Sequence, residues 1–242
     1  MVDPKIRGHQ NNLFRQMIQE FEPPAWAREV VVEADAGFAA NETFRVIEQR
    51  NYKFVFAVAR TRKFSDGKHV ADLVRHLPKH HYHRVASYKP DNRRKAYWVW
   101  SRTGKLNGVG EVTIVLSKRG HNDGPKKVKI IVTNLKGAKV GEILSIYARR
   151  WGIEVTIKEL KGGLHLGQMR VTKEAERVER SAGLSVMAYL LLVKLYGRDE
   201  EVKEGFSLFK MKQRFIADVM QEQLNRSEQK WRRKLEKYRA AA

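Results

Sequence analysis

Two short apolar runs bracket a single helical segment, and this arrangement limits the fold more than any other feature. Val30-Val31-Val32-Glu33-Ala34 and Phe54-Val55-Phe56-Ala57-Val58 are rich in β-branched and aromatic residues and read as strands. Between them Asn41 is the expected N-cap of a helix over 42–50, with Phe44, Val46 and Ile47 on its apolar side. Strand, helix and strand in succession predict a parallel pair covered on both faces, hence an α/β fold. An earlier helix is expected over 8–21, with Leu13, Met17, Ile18 and Phe21 apolar, and Pro23-Pro24 stops it.

The character changes after residue 59. A short helix near 68–77 precedes four segments that read as strands: His81–Tyr88, Lys95–Arg102, Gly110–Lys118 and Lys127–Asn134. Pro90-Asp91-Asn92 and Asn107-Gly108 supply turn chemistry between them, so an antiparallel module is expected. This module is also where the charge lies. The chain of 242 residues carries net +21, and residues 60–136 hold 19 basic against 5 acidic side chains. Residues 1–59 are nearly neutral. Such a concentration argues for a polyanionic partner, bound through phosphates and weakened by salt. The chain has no cysteine, which excludes disulfide scaffolds, cysteine–zinc sites and thiol nucleophiles. The longest apolar stretch, 182–193, is too short to span a bilayer, and the N-terminus has no signal-peptide core. No Walker loop, dinucleotide fingerprint or nucleophile elbow occurs.

From Val140 onward helices are expected at about 141–161, 174–196, 207–224 and 227–239, with Leu184, Met187, Leu191 and Leu195 as core. The first of these carries Tyr147, Arg150, Glu154 and Lys161. At 100° per residue they fall within a 60° sector, so all four project from one face of a continuous helix.

The spacing Tyr-x2-Arg-x3-Glu-x6-Lys resembles the signature of one branch of bacterial insertion-sequence DDE transposases. Val32-Glu33-Ala34-Asp35-Ala36-Gly37-Phe38 looks like that family's second-aspartate motif. The run Trp151-Gly152-Ile153-Glu154 with Lys158-Glu159-Leu160-Lys161-Gly162-Gly163-Leu164 is similar to its helix motif. The resemblance covers about 30–240 and implies an RNase H-like core, a β-strand insertion between the two acidic positions, and a helical C-terminal region. It implies DNA as substrate and two Mg²⁺ ions, with Mn²⁺ as a possible substitute. Asp35 and Glu154 would be the catalytic metal ligands. Tyr147, Arg150, Lys158 and Lys161 would contact DNA phosphates. Carboxylates suit this chemistry because Mg²⁺ takes hard oxygen ligands and stabilises both attacking and leaving oxygens of an in-line displacement.

Four segments follow from this reading: the first part of the core at 1–59, the basic insertion at 60–136, the catalytic-helix part at 137–197 and a helical end at 198–242. The family's first acidic ligand sits on an opening strand. Here Asp3 lies in a polar leader, so the expectation is a core incomplete at its N-terminus. The functional expectations are a transposase, cytoplasmic and nucleoid-associated, acting as a homodimer on DNA. The alternatives are a catalytically inactive DNA-binding fragment or inhibitor of transposition, and a related nuclease that cuts without joining. Trp98 and Trp100 share one side of their strand. Sheet packing accounts for both, and the resemblance also implies a tryptophan that stacks on a base turned out of the duplex, for which Trp98 is the candidate. His80-His81-x-His83 reads as exposed strand histidines rather than a metal site.

Overall fold

The structure, a computed structural model, describes residues 4–88, 94–167, 175–196 and 208–240. It divides into two compact units, Met1–Gly152 and Ile153–Ala242. The expected Pro90-Asp91-Asn92 turn lies outside the described residues.

In the N-terminal unit α1 (Pro4–Glu20) leads to β1 (Val31–Ala34), α2 (Asn41–Gln49), β2 (Lys53–Ala57) and α3 (Val70–His76). Then come β3 (His83–Tyr88), β4 (Arg94–Leu106), β5 (Gly110–Lys118), β6 (Lys129–Thr133) and α4 (Val140–Arg149). The six strands make one sheet in the order β1-β2-β6-β5-β4-β3. As expected, β1 and β2 are parallel, joined by α2 as the crossover. All other pairs are antiparallel, and β6 returns against β2, so the basic strands extend the same sheet.

Period-two alternation assigns the two faces. Phe54, Phe56, Val112, Ile114, Leu116, Ile130 and Val132 point to one core, closed by Ile18 of α1, Phe44 and Ile47 of α2, and Val70 and Val74 of α3. Val55, Ala57, Val99, Val115 and Ile131 point to the other, closed by Ile143, Leu144 and Tyr147 of α4. The Phe14, Phe38, Phe44, Phe54 and Phe56 rings interlock in the first core, with centroid separations of 4.6–6.4 Å. Trp98 and Trp100 pack against that same core.

Several local expectations are corrected. On α1 the inward face is Phe14 and Ile18, while Leu13, Met17 and Phe21 are exposed. Asn41 is the first residue of α2 and its side chain does not cap it. Its Oδ1 instead accepts a hydrogen bond from the Arg62 guanidinium, which also donates to the Ala39 carbonyl. His80 and His81 sit in a 3₁₀ turn over Lys79–His81, opened by Pro78, and the strand begins at His83.

The C-terminal unit is helical. Its elements are α5 (Trp151–Gly163), which begins just before the unit boundary, α6 (Ala175–Tyr196) and α7 (Leu208–Ala240). Leu192, Leu208 and Met211 form its small core, with Leu164, Tyr189, Val193 and Tyr196 around them. The expected core stripe Leu184, Met187, Leu191 and Leu195 is exposed, because α6 turns the neighbouring Tyr189–Leu192–Tyr196 face toward α7. The two final helices expected are one helix. No Gly or Pro interrupts residues 208–240, and the ion pairs Arg226–Glu222 and Arg232–Glu228 run along it.

Candidate active site

Asp35 follows the last residue of β1, at the carboxyl end of the parallel pair, where open α/β sheets bind ligands. Its carboxylate is exposed and held by a local turn: Oδ1 accepts the Gly37 N–H at 2.8 Å, and the Asp35 carbonyl accepts the Phe38 N–H at 3.2 Å. A Cβ at Gly37 would stand 3.1 Å from Oδ1, so glycine there keeps the carboxylate uncrowded.

Two residues earlier, Glu33 points to the α4 side of the sheet. It is half-buried, and its pKa rises above the ordinary glutamate range because burial outweighs three opposing influences. These are the Arg149 charge, a hydrogen bond from the Arg150 backbone N–H, and the Arg150 charge. Glu33 thus ties the strand that ends in Asp35 to the C-terminal turn of α4. That turn carries Tyr147, a buried member of the second core. Lys129 Nζ lies 5.0 Å and the Arg150 guanidinium 5.7 Å from the centroid of the Tyr147 ring. The ring's negative face attracts both cations and gathers positive charge around Tyr147 on the α4 side of the sheet.

The continuous helix expected over 141–161 is interrupted. α4 ends at Arg149, Arg150 is a helical-region junction residue, and α5 starts at Trp151. Gly152, the second residue of α5, weakens helix propensity at this point. The interruption divides the four-residue pattern. Tyr147 and Arg150 belong to the N-terminal unit, beside β1. Glu154, Lys158 and Lys161 belong to the C-terminal unit, all exposed and sharing one face of α5 at offsets of four and seven residues. On the opposite side of α5, Leu160 is buried, Glu159 accepts the Leu208 N–H, and the Gly163 carbonyl accepts Lys212 Nζ at 3.1 Å.

Trp98 is half-buried and its ring lies 4.3 Å from the His121 ring. Glu33 and Lys129 carry weight in the site that the sequence pattern alone did not assign. Strand alternation puts Glu33 on the α4 face. The β6 register puts Lys129 on that same face, where its Nζ lies over the Tyr147 ring.

The donor chemistry suits a hard divalent cation. Asp35 offers an exposed carboxylate oxygen, and Mg²⁺ sites commonly use one or two carboxylates with water and substrate phosphate oxygens. Among the described residues no group of three or more His, Asp or Glu converges on one point. Among them too, no helix is long and apolar enough to cross a membrane.

The model of the transposase DDE domain matches residues 6–191. No curated protein matches the chain. The DDE domain has an RNase H-like fold, acts on DNA and uses divalent metal, in keeping with the mixed α/β sheet and the exposed carboxylate at its edge. The match spans well over half the sequence, and the chain belongs to the DDE transposase family.

Proposed function

We propose that this chain serves Mg²⁺-dependent DNA strand cleavage and transfer at insertion-sequence ends, in the cytoplasm and on the nucleoid, with Asp35 and Glu154 as the acidic ligands. The observation that carries the proposal is Asp35, exposed and turn-fixed at the carboxyl end of β1, with Arg150 hydrogen-bonded through its backbone to Glu33 of the same strand and Tyr147 in contact with both Arg150 and Lys129. A divalent ion bound there supplies charge neutralisation at the reacting phosphate. Arg150 presents a planar donor to phosphate oxygens and Lys129 adds a point charge. Lys158 and Lys161, on the face of α5 that bears Glu154, hold phosphates beside the second ligand. Trp98 is proposed to meet an unstacked base, a role that requires its ring to leave His121.

The assembly we assign is a homodimer on DNA. α7 carries an unusual stripe for this: Phe209, Met220 and Trp231 recur every eleven residues, as do Leu224 and Leu235, and all are exposed. Eleven residues make three turns and about 20°, so the stripe runs nearly straight along the helix. A second copy presents the same period and length, which makes it the matching cover.

A reading as a DNA-binding fragment without catalysis draws on the absence of a converging three-ligand group among the described residues. One assay separates the two. Supercoiled DNA bearing element ends is nicked in Mg²⁺ by the unaltered chain. Asp35→Asn and Glu154→Gln each lower nicking by at least about a hundredfold while leaving duplex binding intact. Nicking that survives both substitutions overturns the site. Binding without nicking by the unaltered chain supports the second reading.

A further inference from the structure

The sheet register brings together cations that are scattered in sequence, along the edge that holds Asp35. Lys129 opens β6 and pairs with Ser117 of β5, which pairs with Val99 of β4. Alternation then puts Lys129, Tyr97 and Lys95 on the α4 face, and Arg119 takes the next alternating position after Ser117, one residue beyond β5. Two contacts agree with this assignment. Lys95 is paired with Ser87, whose hydroxyl meets Ser145 of α4 at 3.2 Å, and Lys95 Nζ lies 5.7 Å from the Tyr97 ring centroid. From β1 through β2, β6 and β5 to β4 are four strand spacings, roughly 19 Å, about the rise of five or six base pairs.

The loop between β5 and β6 is built rather than slack. Lys118 is buried, with Nζ donating to the His121 carbonyl at 2.6 Å and lying 4.2 Å from the Tyr82 ring centroid. The Asp123 carboxylate accepts the Gly120 N–H at 2.8 Å and pairs with Lys127 at 3.2 Å. Arg60 donates to the Pro125 and Val128 carbonyls at 2.6 and 3.1 Å. These clamps fix the backbone that presents Arg119 outward, so little ordering is left to be done on binding.

We propose that Lys129, Arg119 and Lys95 form a phosphate track that starts at Asp35 and guides the DNA backbone along this edge of the sheet. The track rests on the reading of the chain as a DNA-acting protein and names the surface that the flanking duplex follows.

The test is fluorescence-anisotropy binding of the full chain to a labelled duplex over a series of salt concentrations, without divalent metal. Replacing Lys95, Arg119 and Lys129 together by Gln removes about two to three units from the log–log salt slope and weakens binding roughly ten- to a hundredfold. Arg119→Gln alone, at an exposed position, removes about one unit and leaves the thermal melt unchanged. The comparison triple is Lys63, Lys68 and Lys105, exposed at the far end of the same sheet near the β4–β5 turn; it shifts the slope by less than half as much. Equal losses from both triples, or none from the first, overturn the track alone. A chain with no salt-dependent binding at all overturns the track together with the DNA reading.

Discussion

Glu33 sits at a junction where two requirements meet. It must be polar to receive the Arg150 N–H and face Arg149, yet the strand that carries it is packed on the α4 face. Its pKa is raised, burial being the larger influence, so the folded state holds this proton more tightly than the unfolded chain does. The sign follows directly. Between the unfolded value and the raised folded one, the native state binds more protons, and stability falls as pH rises. Glu33→Gln keeps an acceptor for the backbone N–H and removes the titration. Urea titrations from about pH 4 to 7 are expected to show that the variant lacks part of the wild-type stability loss across this interval. A wild-type-minus-variant difference that is flat with pH would contradict this. Arg62 illustrates the same economy from the cationic side. Half-buried over the Phe44 ring, it spends its donors on Asn41 and Ala39 and so fixes the loop that follows the Asp35 turn. A sequence reading assigns Asn41 to capping by default, because it contains no information that Arg62, 21 residues away, arrives at the same oxygen.

At the scale of elements, the strands were readable because β-branched alternation is a local property. Each of the six falls where the pattern put it, with shifts at the ends. The parallel β1–β2 pair followed from the intervening helix. Two helix features were not readable, for different physical reasons. The break at Arg150 depends on where α4 stops packing on the sheet, and Gly152 only lowers the local preference. The exposure of Leu184, Met187, Leu191 and Leu195 depends on which of two apolar faces α6 gives to α7, and periodicity cannot rank two faces. Of the candidate site, Asp35 was legible as a strand-end acid, whereas the approach of Lys129 and Arg150 to Tyr147 required pairing and crossing that no spacing encodes. The eleven-residue stripe of α7 leads to a test. In sedimentation-velocity runs the full chain is expected to dimerise at micromolar concentration. Leu224→Lys with Trp231→Lys should raise the dissociation constant at least about tenfold without loss of helical circular dichroism, since both side chains are exposed in the single copy. A dimer indifferent to both changes would assign the interface elsewhere.

At the scale of the molecule, the described six-stranded sheet and both layers packed on it come from residues before 152. α1, α2 and α3 close one face, α4 closes the other, and among the described residues no strand of the sheet comes from the C-terminal unit. A fragment of residues 1–152 is therefore expected to fold alone, with a cooperative thermal transition and dispersed amide resonances. It also holds 29 basic against 14 acidic side chains, Asp35 and the whole of the proposed track. Binding and chemistry should separate in this fragment. Duplex affinity at low salt should fall within about tenfold of the full chain, while metal-dependent nicking should be lost with Glu154. A fragment that melts without cooperativity would mean that the C-terminal helices are needed to hold the sheet. A folded fragment that no longer binds duplex would move the main DNA surface to α5, α6 or α7, where Lys158 and Lys161 would then carry the affinity.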